Sequence, residues 1–138
     1  MFVPLCKRRE ITFVTVDDLA AVFQTSMTAT AIRLIRLGPY PAMVLCNGPE
    51  GRQWFAASSE VERRLWPLKQ PGPNSMASAL LKGEKAPDKA IDVDADEWID
   101  AEDAEDYVVR EHSRKIGLDR VLTLLWWKDQ RQVLAIDH

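Results

Sequence analysis

Apolar positions along this chain follow two different periods, and the change comes near residue 39. Val16, Leu19, Ala20 and Phe23 fall on one side of a helix predicted to run to about Gln24. Thr15 stands before it as an acceptor for a first-turn amide, and Asp17 and Asp18 suit the positive end of the helix dipole. Thr25-Ser26 breaks this pattern. Ser26 is placed to cap a second helix from Met27 to Leu37, with Ala31, Leu34 and Ile35 turned inward, and Gly38-Pro39 ends it. Ahead of both helices, residues 1–14 read as a short leader carrying the basic cluster Lys7-Arg8-Arg9 and the apolar run Ile11-Thr12-Phe13-Val14.

From residue 40 the pattern is that of strands. Ala42 to Cys46 is an apolar run of strand length, and Asn47-Gly48-Pro49-Glu50-Gly51 has turn chemistry. Arg52 to Ala57 alternates, with Trp54 and Ala56 on one face and Phe55 and Ala57 on the other, so the segment reads as a β-hairpin. Residues 59–66 suit a short helix, and Pro67 and Pro71-Gly72-Pro73 mark a loop. Asn74 or Ser75 caps a helix through Leu81, closed by Gly83. Ile91 and Val93 suggest an edge strand within an acidic stretch. Tyr107 to Ser113 is a strand, Lys115 to Asp119 a connection, and Arg131 to Ile136 a last strand. Arg120 to Trp127 is apolar on both faces and is therefore expected at the centre of the sheet. Helices first and a mainly antiparallel sheet of five or six strands afterwards make an α+β fold, divided into a helical segment at 1–39 and an α+β domain at 40–138.

Composition narrows the function. The chain has 138 residues, 46% of them apolar, enough for a buried core. No apolar run reaches bilayer length, and the N-terminal charges follow a very short apolar stretch, the reverse of a signal peptide, so a cytoplasmic protein without a membrane partner is expected. Cys6 and Cys46 form no disulfide framework and no CxxC metal pair. The net charge of −3 excludes a general polyanion binder. Residues 1–39, with five basic and three acidic side chains, are the one part with a basic excess.

The stretch Leu19 to Leu34 has the layout of a helix-turn-helix. Its second helix would offer Thr28, Thr30, Arg33 and Arg36 to DNA, although Gln24 stands where the turn usually has glycine. The structural alternative is a helical pair that docks on a neighbouring domain.

The same stretch carries a family resemblance. Leu19-Ala20-x-x-Phe23, Ser26, Ala31, Arg33-Leu34 and Gly38 resemble the region just downstream of the zinc site in the ImmA/IrrE metallopeptidase family, and Phe2-Val3-Pro4 resembles the Met-Pro element that precedes it there. Glu111-His112-Ser113 with the strand Arg120 to Trp126 resembles the C-terminal GAF-like domain of the IrrE branch. The family's zinc chemistry needs His-Glu-x-x-His on a helix. Only His112 and His138 are present, and Glu111 and His112 are adjacent and point to opposite sides of a strand, so no catalytic or metal residue carries over. The resemblance implies the part of such a protein that lacks the peptidase core: a stand-alone regulator, a truncated product or one piece of a split system. It also implies a ligand pocket between the sheet and its covering helices or loops. Trp54, Trp66, Tyr107, Trp126 and Trp127 are candidate walls, with Arg110 or Arg120 as anchors.

Other motifs are missing. Between Asp88 and Asp106 stand ten acids and one lysine, read as a solvated loop that repels DNA. With Asp92 as first position, the sixth residue of a calcium loop is Glu97 and the twelfth Asp103, where glycine and glutamate are required. No nucleophile elbow and no phosphate loop occur, and Cys46 with His112 would act as a pair only if the fold joined them. The expectation is a non-catalytic sensory or regulatory module without a cofactor, in stress response or gene regulation. It would bind a small ligand, or a second copy or protein partner through its N-terminal helices. DNA binding through residues 16–37 and an inactive peptidase remnant are the alternatives.

Overall fold

The computed structural model describes residues 12–14, 16–17, 26–37, 40–58, 61, 65–101, 104, 107–116 and 119–127. Helix α1 (Met27–Leu37) comes first among the full elements, then strands β1 (Ala42–Gly48) and β2 (Gly51–Ala57), helix α2 (Met76–Leu81), β3 (Ile91–Asp94), β4 (Val108–Ile116) and β5 (Arg120–Trp126). The five strands form one sheet in the order β2-β1-β5-β4-β3, every pair antiparallel. The fold is thus α+β. The body of the first expected helix (Leu19, Ala20, Phe23), the Gly38-Pro39 stop, most of residues 59–66 and the last strand at 131–136 lie outside the described residues.

Alternation sorts the side chains into two cores. On one face Met43, Leu45, Val93, Val109, Val121 and Leu125 meet α2, Trp98, Ile99 and Trp127. On the other, Val44, Cys46, Leu122, Leu124 and Trp126 meet Ala31, Leu34 and Ile35 of α1, together with Phe13 and Val16. Strands β1 and β5 are covered on both sides, which is why they read as nearly continuous apolar runs; β5 lies in the middle of the sheet as its pattern predicts. Helix α1 begins at Ser26, whose Oγ accepts the Ala29 N–H at 3.1 Å. Helical bonding in the N-terminal segment starts earlier than the Thr15 cap implies, because Val16 N–H already donates to Thr12 O at 3.0 Å.

Two loops close against the sheet through glycines. Gly51 has φ +116° after the two-residue Pro49-Glu50 turn, and a Cβ there would lie 2.8 Å from Lys69 O. Gly72 donates its N–H to Glu97 O at 2.7 Å, and a Cβ on it would stand 1.8 Å from Glu97 Oε2 and 2.9 Å from Glu97 Cα. The Glu97 carboxylate is itself held by Asn74 N–H at 3.1 Å and Asn74 Nδ2 at 3.0 Å, so it does not swing aside without loss. Gly72→Ala is expected to cost about 1–3 kcal/mol in chemical denaturation; an unchanged midpoint would show that the loop yields freely.

The acidic stretch is not the wholly solvated loop its charge suggests. Asp92, Asp94 and Asp96 face solvent, but Val93, Ala95, Glu97, Trp98, Ile99 and Ala104 are buried. Period-two alternation in β3 followed by a 3-10 turn at Ala95–Glu97 turns Asp92, Asp94 and Asp96 outward and Val93, Ala95 and Glu97 inward.

Candidate functional site

Trp126, one of the expected ligand contacts, lies on the α1 side and is nearly buried. Tyr40 packs on it with ring centroids 4.8 Å apart, and the Arg110 guanidinium lies 5.6 Å from its centre. Arg110 Nε is 3.4 Å from Asp92 Oδ1, an ion pair without the alignment of a hydrogen bond. Trp54 packs on the same side but opposite Cys46, toward the hairpin end of β2. Trp66 is 60% exposed on the other side, edge-on to Phe55 at 5.1 Å with the Arg52 guanidinium near both rings. Tyr107 packs into the α2-side core, Trp127 is buried there, and Arg120 is exposed at the start of β5. The structure therefore joins Trp126 with Arg110 and distributes the remaining candidates over both faces of the sheet.

The helix expected to contact DNA presents a different face from the one assigned to it. Ala29, Arg33, Arg36 and Leu37 are exposed and Thr28 is half-buried, but Thr30 is fully buried beside Ala31 and turned toward the sheet. Thr30 is corrected to a core position. The apolar side of α1 packs against β1 and β2 of the same chain.

Two polar networks are buried back to back on β4, because consecutive strand residues face opposite ways. On the α2 side Glu111, with no exposure, accepts the N–H groups of Met76 at 3.0 Å and Ala77 at 2.9 Å, and the Ser113 hydroxyl at 2.6 Å. Ser113 Oγ also meets Thr123 Oγ1 at 2.7 Å. On the α1 side His112, equally buried, has Nε2 2.7 Å from Asp88 Oδ1, while its Nδ1 accepts the Phe13 N–H at 3.0 Å. Arg114 clamps Asp88 and Asp17 through paired contacts of 2.9 to 3.2 Å. Burial pushes the His112 pKa down against the opposing pull of Asp88. The His112 hydrogen bond holds the Asp88 carboxyl below the usual range, with Arg114 assisting.

Asp88 and His112 have the chemistry of a base and its orienting acid, but both ring nitrogens are engaged and Ser113 faces the opposite side. Cys46 lies two strands away, and its thiol points to Gln53 Oε1 at 3.8 Å. Burial raises the Cys46 pKa, with Arg120 opposing, so the thiol stays protonated and unreactive. Among the described residues no group of three His, Cys, Asp or Glu side chains converges to hold a metal, and no helix is long and apolar enough to cross a membrane.

A cavity of about 310 Å³ opens on the α2 side, between the β1–β2 turn (Gly48, Pro49), Gln70 and Pro71, and the end of α2 (Ser78, Leu81, Lys82). Its walls combine apolar surface from two prolines and a leucine with a hydroxyl, an amide and a cation, the mixture that holds a small molecule in one orientation. Larger hollows at the β3 edge and beside Lys69 are lined by Asp92, Asp94 and Glu97, and by Glu50, Arg52 and Asp119. Sequence reasoning missed the first cavity because none of its lining residues is aromatic and their turn, loop and helix signals say nothing of a ligand. Compared with protein-family models, with curated proteins and with solved structures, the chain matches none.

Proposed function

We propose that this protein is a non-catalytic sensory module, acting in the cytoplasm, that binds a small molecule in the cavity between the β1–β2 turn and α2. The observation that carries this reading is the position of that cavity. It lies between the sheet and its covering helix and loop, where the GAF-like resemblance implies a ligand. Asn47 adds support. It pairs with Val121, so its side chain belongs to the α2 side next to Gly48, and both atoms of its buried amide lack hydrogen-bond partners among the described residues. A small shift at this end would give a polar ligand both a donor and an acceptor. The descent implied is that of an ImmA/IrrE-type chain without its zinc-binding core, working in stress response or gene regulation.

Filling the cavity tests the reading. Small-molecule library compounds that raise the melting temperature of the wild type are expected to lose that effect on Leu81→Trp, measured by thermal shift. A library without a stabilising compound, or hits that act equally on Leu81→Trp, would contradict it. DNA contact is the second reading and rests on the exposed Arg33 and Arg36, with Thr28 beside them and Thr30 excluded.

A further inference from the structure

We propose that His112 is a proton-sensitive latch that holds the N-terminal segment around Phe13 and Val16 on the sheet and releases it when the ring takes up a second proton. A backbone N–H only donates, so the 3.0 Å contact from Phe13 requires Nδ1 to be the bare nitrogen. The single ring proton then sits on Nε2 and is donated to Asp88 at 2.7 Å. A second proton has one place to go, Nδ1, where it confronts the Phe13 N–H. One protonation thus converts a hydrogen bond into a donor–donor clash in a site without solvent access.

What the latch holds is substantial. Phe13 and Val16 are fully buried and pack in the core formed by α1 and Leu122, Leu124 and Trp126. The Phe13 ring stands edge-on to His112 at 4.8 Å, with the Arg114 guanidinium 4.8 Å from its centre. Release of the segment uncovers that apolar surface and opens the Arg114–Asp17 pair.

The charged groups facing the ring come from three places: Asp88 in the loop before β3, Asp17 in the N-terminal segment, and Arg114 on β4 itself. The carboxylates favour the imidazolium, while Arg114 and burial oppose it, and the folded ring binds its proton less readily than a free histidine. The sign follows. The latch is at full strength above the ordinary histidine pKa of about 6.5 and weakens as the pH falls through the folded value below it. Asp88 stays ionised through that window because its own pKa is depressed.

The test is amide hydrogen exchange on the full chain at pH 7.5 and 5.0, corrected for intrinsic rates, with ring ¹⁵N shifts recorded for His112. Protection at Phe13 and Val16 is expected to fall by up to about tenfold for each pH unit between the ordinary histidine value of about 6.5 and the folded value, levelling off below it, while Leu124 in β5 keeps its protection. The ring shifts should show the Nε2–H form at neutral pH. Asp88→Asn, which removes the facing anion, should lower the pH at which the folded ring itself titrates, read from the ring shifts. Unchanged Phe13 protection at pH 5.0, loss in step with Leu124, or a proton on Nδ1 at neutral pH would each overturn the latch; the ring shifts remain decisive if the variant fails to fold.

Discussion

Replacing Glu111 by alanine is expected to remove about 2–5 kcal/mol of folding stability, roughly 1–3 kcal/mol for each buried N–H left without its acceptor. Helix α2 has six residues and depends on its surroundings to satisfy the amides of its first turn. Ser75 Oγ accepts the Ser78 N–H, and the Glu111 carboxylate accepts those of Met76 and Ala77. Deleting the carboxylate leaves two buried N–H groups short of an acceptor in a site without water access, while the Ser113 hydroxyl can still donate to Thr123 Oγ1. Glu111→Gln keeps the volume but sets an NH₂ donor against one of the same amides, so about 1–3 kcal/mol should still be lost. Urea denaturation of the three proteins provides the comparison. A Glu111→Ala midpoint close to wild type would show that α2 is held by its apolar side alone. Because Ser78 and Leu81 of this helix wall the cavity, the loss should also weaken the ligand binding proposed for it before the whole fold gives way.

The second large effect is at Trp98. Its indole is 1% exposed among Val93, Val109 and Ile99, just after the 3-10 turn, and its backbone carbonyl accepts the Leu68 N–H at 2.8 Å. The Nε1–H has no hydrogen-bond partner among the described residues, so ring volume is what the site uses. Trp98→Ala should cost about 3–5 kcal/mol through the cavity it leaves. Trp98→Phe, which has no hydrogen bond to lose, should cost about 1–2 kcal/mol. Equal losses for the two variants would point instead to an unseen polar role for the indole.

What could be read from the sequence was local. A cap at Asn74 or Ser75, of which Ser75 is the one used, and Gly83 as stop define α2 because each acts within one turn, and Gly83 has the φ of +82° that such a stop needs. The faces of β2 followed from alternation: Trp54 and Ala56 pack toward α1, Phe55 and Ala57 toward α2. The opposite orientation of Glu111 and His112 was equally legible. Their partners were not, because Met76, Asp88 and Phe13 lie 24 to 99 positions away, a distance that no periodicity spans. For the same reason Glu97 read as one acid among many, although Asn74 and Gly72 bury it. Aromatic content drew attention to tryptophans as pocket walls. The 310 Å³ cavity is instead built from prolines, a leucine and small polar residues that carry no signal singly.

Native mass spectrometry of the wild-type protein as purified from cells, beside a denaturing control, tests the sensory reading most directly. An excess mass of small-molecule size is expected, lost on denaturation and missing from Leu81→Trp. A bare wild-type mass, or an excess that persists when Leu81→Trp fills the cavity, would contradict it.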